Sequence, residues 1–181
     1  MIEIFVDADA CPVKEEVYAV AARLGLPVVV VANQRIRVPQ GRGVEMVVVD
    51  SGFDAADDWI VEDIRSGDIV ITADIPLAAR CLEKGAHALG TQGKEFTLES
   101  IGGALAAREL KASIRESGGI AGGPAPLTGR ERSRFANALD AIAQRALRAA
   151  KQARDSVQGL NSGCRLSQFC SQGGSAWSSI L

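Results

Sequence analysis

The chain opens on Ile2-Glu3-Ile4-Phe5-Val6-Asp7-Ala8-Asp9, a short apolar strand pattern that runs directly into two aspartates. Carboxylates at a strand's carboxyl end suit metal or phosphate chemistry, because an open α/β sheet binds ligands just beyond those ends. Asp74 repeats this placement: it closes the run Gly67-Asp68-Ile69-Val70-Ile71-Thr72-Ala73-Asp74 and stands immediately before a helix pattern carrying Pro76. A third aspartate is marked by periodicity. In the segment 54–65, at 100° per residue, Ala56, Ile60, Val61 and Ile64 define an apolar stripe, and Asp57 falls inside it while Asp54 and Asp58 fall at or beyond its edge.

An inward carboxylate needs a cation, hydrogen-bond donors or a water-filled cleft, since an unpaired buried charge is costly. Several converging carboxylates repel one another unless something positive lies between them. Oxygen ligands of this kind suit Mg²⁺ or Mn²⁺, ions that orient a water and neutralise a phosphate. Asp7, Asp57 and Asp74 are therefore the candidate catalytic residues, and Asp7, Asp9, Asp57, Asp58 and Asp74 the candidate metal ligands. Each has a structural alternative. Asp54 and Asp57 stand where a helix's first turn exposes N–H groups, and Asp74 before a Pro-started helix is a common N-cap. Capping is the preferred reading of Asp54, and Asp57 stays open between the two. One strand-end aspartate alone would read as a cap; two of them with an inward Asp57 favour a site.

Basic and amide side chains lie near the same places. Lys14 opens the first helix, and Asn33, Arg35 and Arg37, with Arg42 further on, leave the second strand. Lys14, Asn33, Arg35 and Arg37 are the candidate phosphate-binding residues, although an arginine in a surface loop more often only solvates it. Aromatic residues make up 4% of the chain, too few stacking platforms for a dedicated reader of single strands. Cys11 at a helix start reads better as a small core residue than as a reactive thiolate.

The elements that must position these residues are legible as alternation. Runs at Ile2–Val6, Pro27–Ala32, Val44–Val49, Asp68–Ala73 and Ala86–Gly90 are rich in β-branched residues and are separated by helical patterns from Pro12 to Gly25, 54–65 and 76–84. They predict an α/β fold with a mostly parallel sheet and crossover helices, the stretch Asn33–Gly43 being a loop or a hairpin. Leu98–Glu116 reads as a further helix and 117–129 as a Gly/Pro-rich connector. Thr128 and Glu131 have capping-box spacing ahead of a last helix with Phe135, Leu139, Ile142 and Ala146 inward. Residues 1–155 are expected to form one domain, with 156–181 a disordered or adventitious tail.

With 181 residues and 47% hydrophobic content the chain suits a single sizeable core. The net charge of −2 conceals an asymmetry: residues 1–100 carry 17 acidic and 9 basic side chains, residues 101–181 carry 5 and 11. The arginine-rich last helix, with Arg130, Arg132, Arg134, Arg145 and Arg148, either walls a groove for a polyanion or docks on the acidic body. No run approaches the roughly 18 apolar residues of a membrane span, and Glu3 and Asp7 break a signal-peptide pattern, so a cytoplasmic location without membrane attachment is expected. The four cysteines lack metal-ligand spacing and are read as free thiols.

Four segments, Asp7-Ala-Asp9-Ala-Cys11-Pro12-Val-Lys14, Asp54-Ala-Ala-Asp57-Asp58-Trp59-Ile60, Gly67 to Ala78, and Arg132-Ser-Arg134-Phe135-Ala-Asn137-Ala-Leu139-Asp140, together closely resemble the YaiI/YqxD family of uncharacterised bacterial proteins over about residues 1–150. That family is similar to PIN-like nucleases. The resemblance implies a three-layer α/β/α fold whose strand ends gather acidic residues, here Asp7, Asp57 or Asp58, and Asp74, to bind metal and hydrolyse RNA or DNA. Gly90-Thr91-Gln92-Gly93-Lys94 has Thr and Gln where a fourth carboxylate would stand, and the tail departs from the family's usual end. The leading expectation is a divalent-metal-dependent phosphodiesterase acting on RNA or another nucleic acid. Two others stand beside it: an aspartate-based phosphatase using Asp7 and Asp9, whose motif is broken by Cys11, and a non-catalytic module that binds nucleic acid or a partner.

Overall fold

The computed structural model describes residues 1–8, 11–41, 43–49, 52, 54–103, 105–106 and 127–162, the last six of these by backbone alone. Asp9, Arg42, the helix expected from 98 to 116 beyond residue 106, most of the connector, and everything after 162, including Cys164 and Cys170, lie outside the described residues.

A six-stranded sheet in the order β3-β2-β1-β4-β5-β6 forms the middle layer. Its strands are β1 (Ile4–Asp7), β2 (Val28–Ala32), β3 (Val44–Val48), β4 (Ile69–Ile71), β5 (His87–Leu89) and β6 (Glu95–Phe96). The first five are parallel, and β6 returns antiparallel on β5. The helices are α1 (Lys14–Leu24), α2 (Ala55–Asp63), α3 (Ile75–Glu83) and α4 (Gly129–Ser162), with a further helical stretch at 98–103. The α/β alternation read from the sequence is thus present. Among the described residues no helix is long and apolar enough to cross a membrane.

Side-chain alternation along the strands sorts the core into two halves. Ile4, Val6, Val28, Val30, Ile69 and Ile71 face α1 and α4, meeting Val17, Ala21, Phe135, Leu139 and Ile142. Phe5, Val29, Val31, Val70 and Ala88 face the other way, onto Ile60 of α2, Leu77 and Cys81 of α3, and Ile101. Burying such side chains stabilises the fold by roughly 1.5–3 kcal/mol each. Every residue of β1, β2 and β4 is buried, which explains why these strands read as continuous apolar runs.

Local signals set the boundaries. Gly25 ends α1 in the left-handed conformation at φ 67°, where a side chain would be strained. Helix α2 does not reach Arg65 as expected; it stops at Asp63 because Ile64 is extended, with its side chain returned to the core. The stretch 33–41 is a loop rather than a hairpin. Helix α4 begins on the expected capping box: the Thr128 N–H donates to Glu131 Oε2 at 2.8 Å, and the Glu131 N–H donates to Thr128 Oγ1 at 3.3 Å. It then continues to Ser162, past the boundary at 155.

Candidate functional site

The chain order reverses between β1 and β4. From β1 it proceeds outward to β2 and β3, then crosses back so that β4 and β5 lie on the other side of β1. Just beyond the carboxyl ends of such a neighbouring pair lies the crevice where open α/β sheets hold ligands. Asp7 is the last residue of β1, and Asp74 follows β4 closely.

Register fixes where Asp7 points. Val6 is level with Ile71, which puts Asp7 level with Thr72. Residue parity gives Asp7 the same face as Phe5, the face covered by α2 and α3. Asp7 is 8% exposed and Thr72 is fully buried, and Thr72 Oγ1 donates to Asp7 Oδ2 at 2.9 Å. The same hydroxyl accepts the Asp74 N–H at 2.9 Å. Thr72 thereby couples the end of β1 to the start of α3. It was not singled out from the sequence, although a buried hydroxyl ending an apolar run, two residues before Asp74, was the available signal.

Asp74 occupies the N-cap position of α3, but its side chain makes no cap hydrogen bond. It hydrogen-bonds Asp57 instead. Asp54 likewise stands at the N-cap of α2 without a side-chain cap bond, in the left-handed conformation at φ 62°. Asp57 is partly buried on the α2 face that meets the sheet, as its angular position predicts. Its carboxyl is pushed up to about 6, first by burial, then by the charges of Asp74, Asp7 and Asp54, and by the hydrogen bond with Asp74. Three elements therefore deliver Asp7, Asp57 and Asp74 into one electrostatic neighbourhood. The capping alternative fails for Asp74 at the level of its side chain.

The other predicted ligands divide. Asp58 turns outward and pairs with Arg80 of α3 at 2.7 Å, on an exposed part of the α2–α3 surface. It is not brought to Asp57's partners. Asp68, buried like Asp7, is structural: its two oxygens accept the N–H groups of Glu3 and Arg65 at 3.0 and 2.9 Å, at the opposite end of the sheet.

Among the phosphate-binding candidates, Lys14 reaches over the end of β1 and donates to the Ala8 carbonyl at 2.9 Å. Its ammonium is thus held beside the same strand end. Asn33 directly follows β2, and its buried Oδ1 has no hydrogen-bond partner among the described residues. An orphan acceptor calls for a donor such as a hydroxyl or a water rather than a phosphate oxygen. Arg35 and Arg37 are exposed in the loop that follows. The arginines of α4 mostly dock that helix. Arg132 donates to Glu16 and to the Pro12 carbonyl, Arg134 to the Gln92 carbonyl, and Arg145 pairs with Glu95. Cys11 is buried, and its thiol is pushed up to about 11 by that burial, in keeping with a core residue.

The carboxylates fit a hard divalent cation by donor chemistry: all the donors are oxygens, and burial together with their mutual repulsion raises the pKa of Asp57. Among the described residues, no three His, Cys, Asp or Glu already stand close enough to share an ion. Holding one would require the Asp57–Asp74 pair to give up its proton and the three side chains to close in.

The family model described as "Uncharacterized BCR, YaiI/YqxD family" matches residues 5–145. A UPF0178 protein of Rhodopseudomonas palustris (strain TIE-1) is 56% identical over 148 residues, covering 82% of this chain and 94% of that relative. Similar proteins occur in Bradyrhizobium diazoefficiens, at 49% identity over 160 residues (86% of this chain, 96% of the relative), and in Brucella suis, at 54% over 147 residues (81% and 91%). No solved structure matches the chain. The matched residues span β1 through the first half of α4 and contain Asp7, Asp57, Thr72 and Asp74, and the chain belongs to the YaiI/YqxD family.

Proposed function

We propose that the chain is a divalent-metal-dependent phosphodiesterase acting on RNA or another nucleic acid, with its centre at Asp7, Asp57 and Asp74. The observation that carries this reading is the placement of Asp57, on α2, beside Asp7 and Asp74 delivered from the ends of β1 and β4 and linked through Thr72, with the Asp57 carboxyl pushed up by burial and by those neighbouring charges. Acidic side chains brought towards one another at a sheet's switch point are what a cation-dependent site would draw on. The likeness to PIN-like nucleases noted from the sequence supports the same assignment, as an analogy of fold.

Asp7, Asp57 and Asp74 would hold Mg²⁺ or Mn²⁺, which when bound supplies positive charge against phosphate oxygens and lowers the pKa of a water. Thr72 fixes the Asp7 carboxylate and the start of α3 relative to each other. Lys14, tethered at the end of β1, and the exposed Arg35 and Arg37 would contact flanking phosphates. Such a reading sets the protein in the cytoplasm, where its substrate is.

Labelled single-stranded RNA incubated with Mn²⁺ or Mg²⁺ should be cleaved by the wild type and not by Asp7→Asn. Equal cleavage by both proteins would assign the activity to a different site or to a contaminant. The phosphatase reading requires Asp9 as a chemical partner, so Asp9→Asn should abolish activity there and only weaken it here. RNA binding without divalent metal, unchanged in Asp74→Asn, would favour the non-catalytic module.

A further inference from the structure

We propose that β3 is a dimerisation edge, on which a second copy of this chain adds its own β3 antiparallel about a two-fold axis through Met46, giving one twelve-stranded sheet. Among the described residues β3 pairs with β2 alone. The Val28 N–H donates to the Gly43 carbonyl, and the Val49 N–H donates to the Ala32 carbonyl. Backbone groups alternate sides along a strand, so the N–H and C=O of Val44, Met46 and Val48 point to the outer edge.

That outward set is symmetric about Met46. An antiparallel copy centred there places Met46 opposite Met46 of the second chain and Val44 opposite Val48, so all three outward residues meet outward residues and every outward N–H and C=O is paired. The side chains of the same three residues share one face, level with Val28, Val30 and Ala32. Pairing joins them into a continuous apolar strip and covers Val48, which is 48% exposed. Glu45 falls opposite Val47, so no like charges are directly opposed, and the two Glu45 side chains stand on the diagonal, about 7–8 Å apart, on the face away from the apolar strip. A second copy supplies an apolar residue opposite each of Val44, Met46 and Val48 and a strand of the same length, which is why the occupant is a second copy.

The two sheet edges differ in protection. Strand β6 has two residues, and its Glu95 is paired with Arg145 of α4, so it offers little template. Strand β3 has five residues in unbroken register with β2 and contains no Pro or Lys. The inference is independent of the chemistry proposed above.

Sedimentation of the full chain between about 1 and 100 μM tests it. The wild type should reach twice the chain mass. Met46→Pro removes an outward N–H and no bond to β2, a substitution that edge strands tolerate, and Val48→Lys puts a charge into the strip. Both variants should sediment as monomers with wild-type circular dichroism. If Met46→Pro fails to fold, Val48→Lys decides. A wild type that is monomeric throughout, or a dimer that persists in a folded Val48→Lys variant, would overturn the proposal.

Discussion

Thr72 Oγ1 donates to Asp7 and accepts from the Asp74 N–H, so one hydroxyl sets the relation between two carboxylates supplied by different elements. Replacing it with the isosteric valine leaves buried polar groups without that partner, at a cost of about 1–3 kcal/mol. Thr72→Val should also lose about 10–100-fold in Mn²⁺ affinity, the scale seen when a group supporting metal ligands is removed. Thr72→Ser should restore both. An unchanged affinity in a folded Thr72→Val protein would reduce the residue to a structural role. Asp57 makes a prediction about pH. Its folded pKa of about 6 exceeds the ordinary 3.8, so between those values the folded chain keeps a proton that the unfolded chain has released. Stability therefore falls as pH rises through that window. In metal-free buffer Asp57→Asn should raise Tm near pH 7.5 by about 2–4 °C, equivalent to about 1 kcal/mol for a chain of this length, after allowance for solvent screening of a carboxyl that is only partly buried. The difference should shrink as pH falls through that window and vanish below about 3.8. A mutant with the wild-type pH slope would contradict the assignment.

Helix α4 closes one face of the sheet, and its start is pinned close to the strand ends. Gly93, at φ 76°, follows β5, and a Cβ there would stand 3.0 Å from Phe135 Cα and 3.1 Å from its nitrogen. Gly93→Ala thus combines backbone strain with a clash against a rigid helix and should cost about 1–3 kcal/mol in urea unfolding. Wild-type stability in that variant would mean that the contact yields freely. The helix start itself was legible, since the capping box and the spacing of Phe135, Leu139 and Ile142 are local patterns. Strand β6 was not legible: two residues leave no alternation to read. The far end of α4 was missed for another reason. Ser, Gln and Gly after 155 resemble a tail in composition, but adding a residue to a formed helix needs no new nucleus.

Among the described residues, the acidic body and the basic last third meet through α4. Arg132 meets Glu16, Arg23 meets Asp140, and Arg145 meets Glu95, all between α4 and the body. Arg132 and Arg145 thus serve docking, one of the two roles the sequence leaves open for the arginines of α4. The site was legible to the extent that strand ends and helical angle are local: Asp7, Asp57 and Asp74 could each be marked. Their meeting, and the exclusion of Asp58 by Arg80, depend on strand order and helix packing that no local pattern encodes. The central claim, that these three carboxylates form a cation site, is tested most directly by calorimetric titration of the metal-free full chain with Mn²⁺. One saturable site is predicted near pH 7.5, weaker near pH 5, where Asp57 holds its proton, and weakened at least about tenfold in Asp7→Asn and Asp74→Asn. No saturable binding, or equal binding in wild type and both variants, would contradict it.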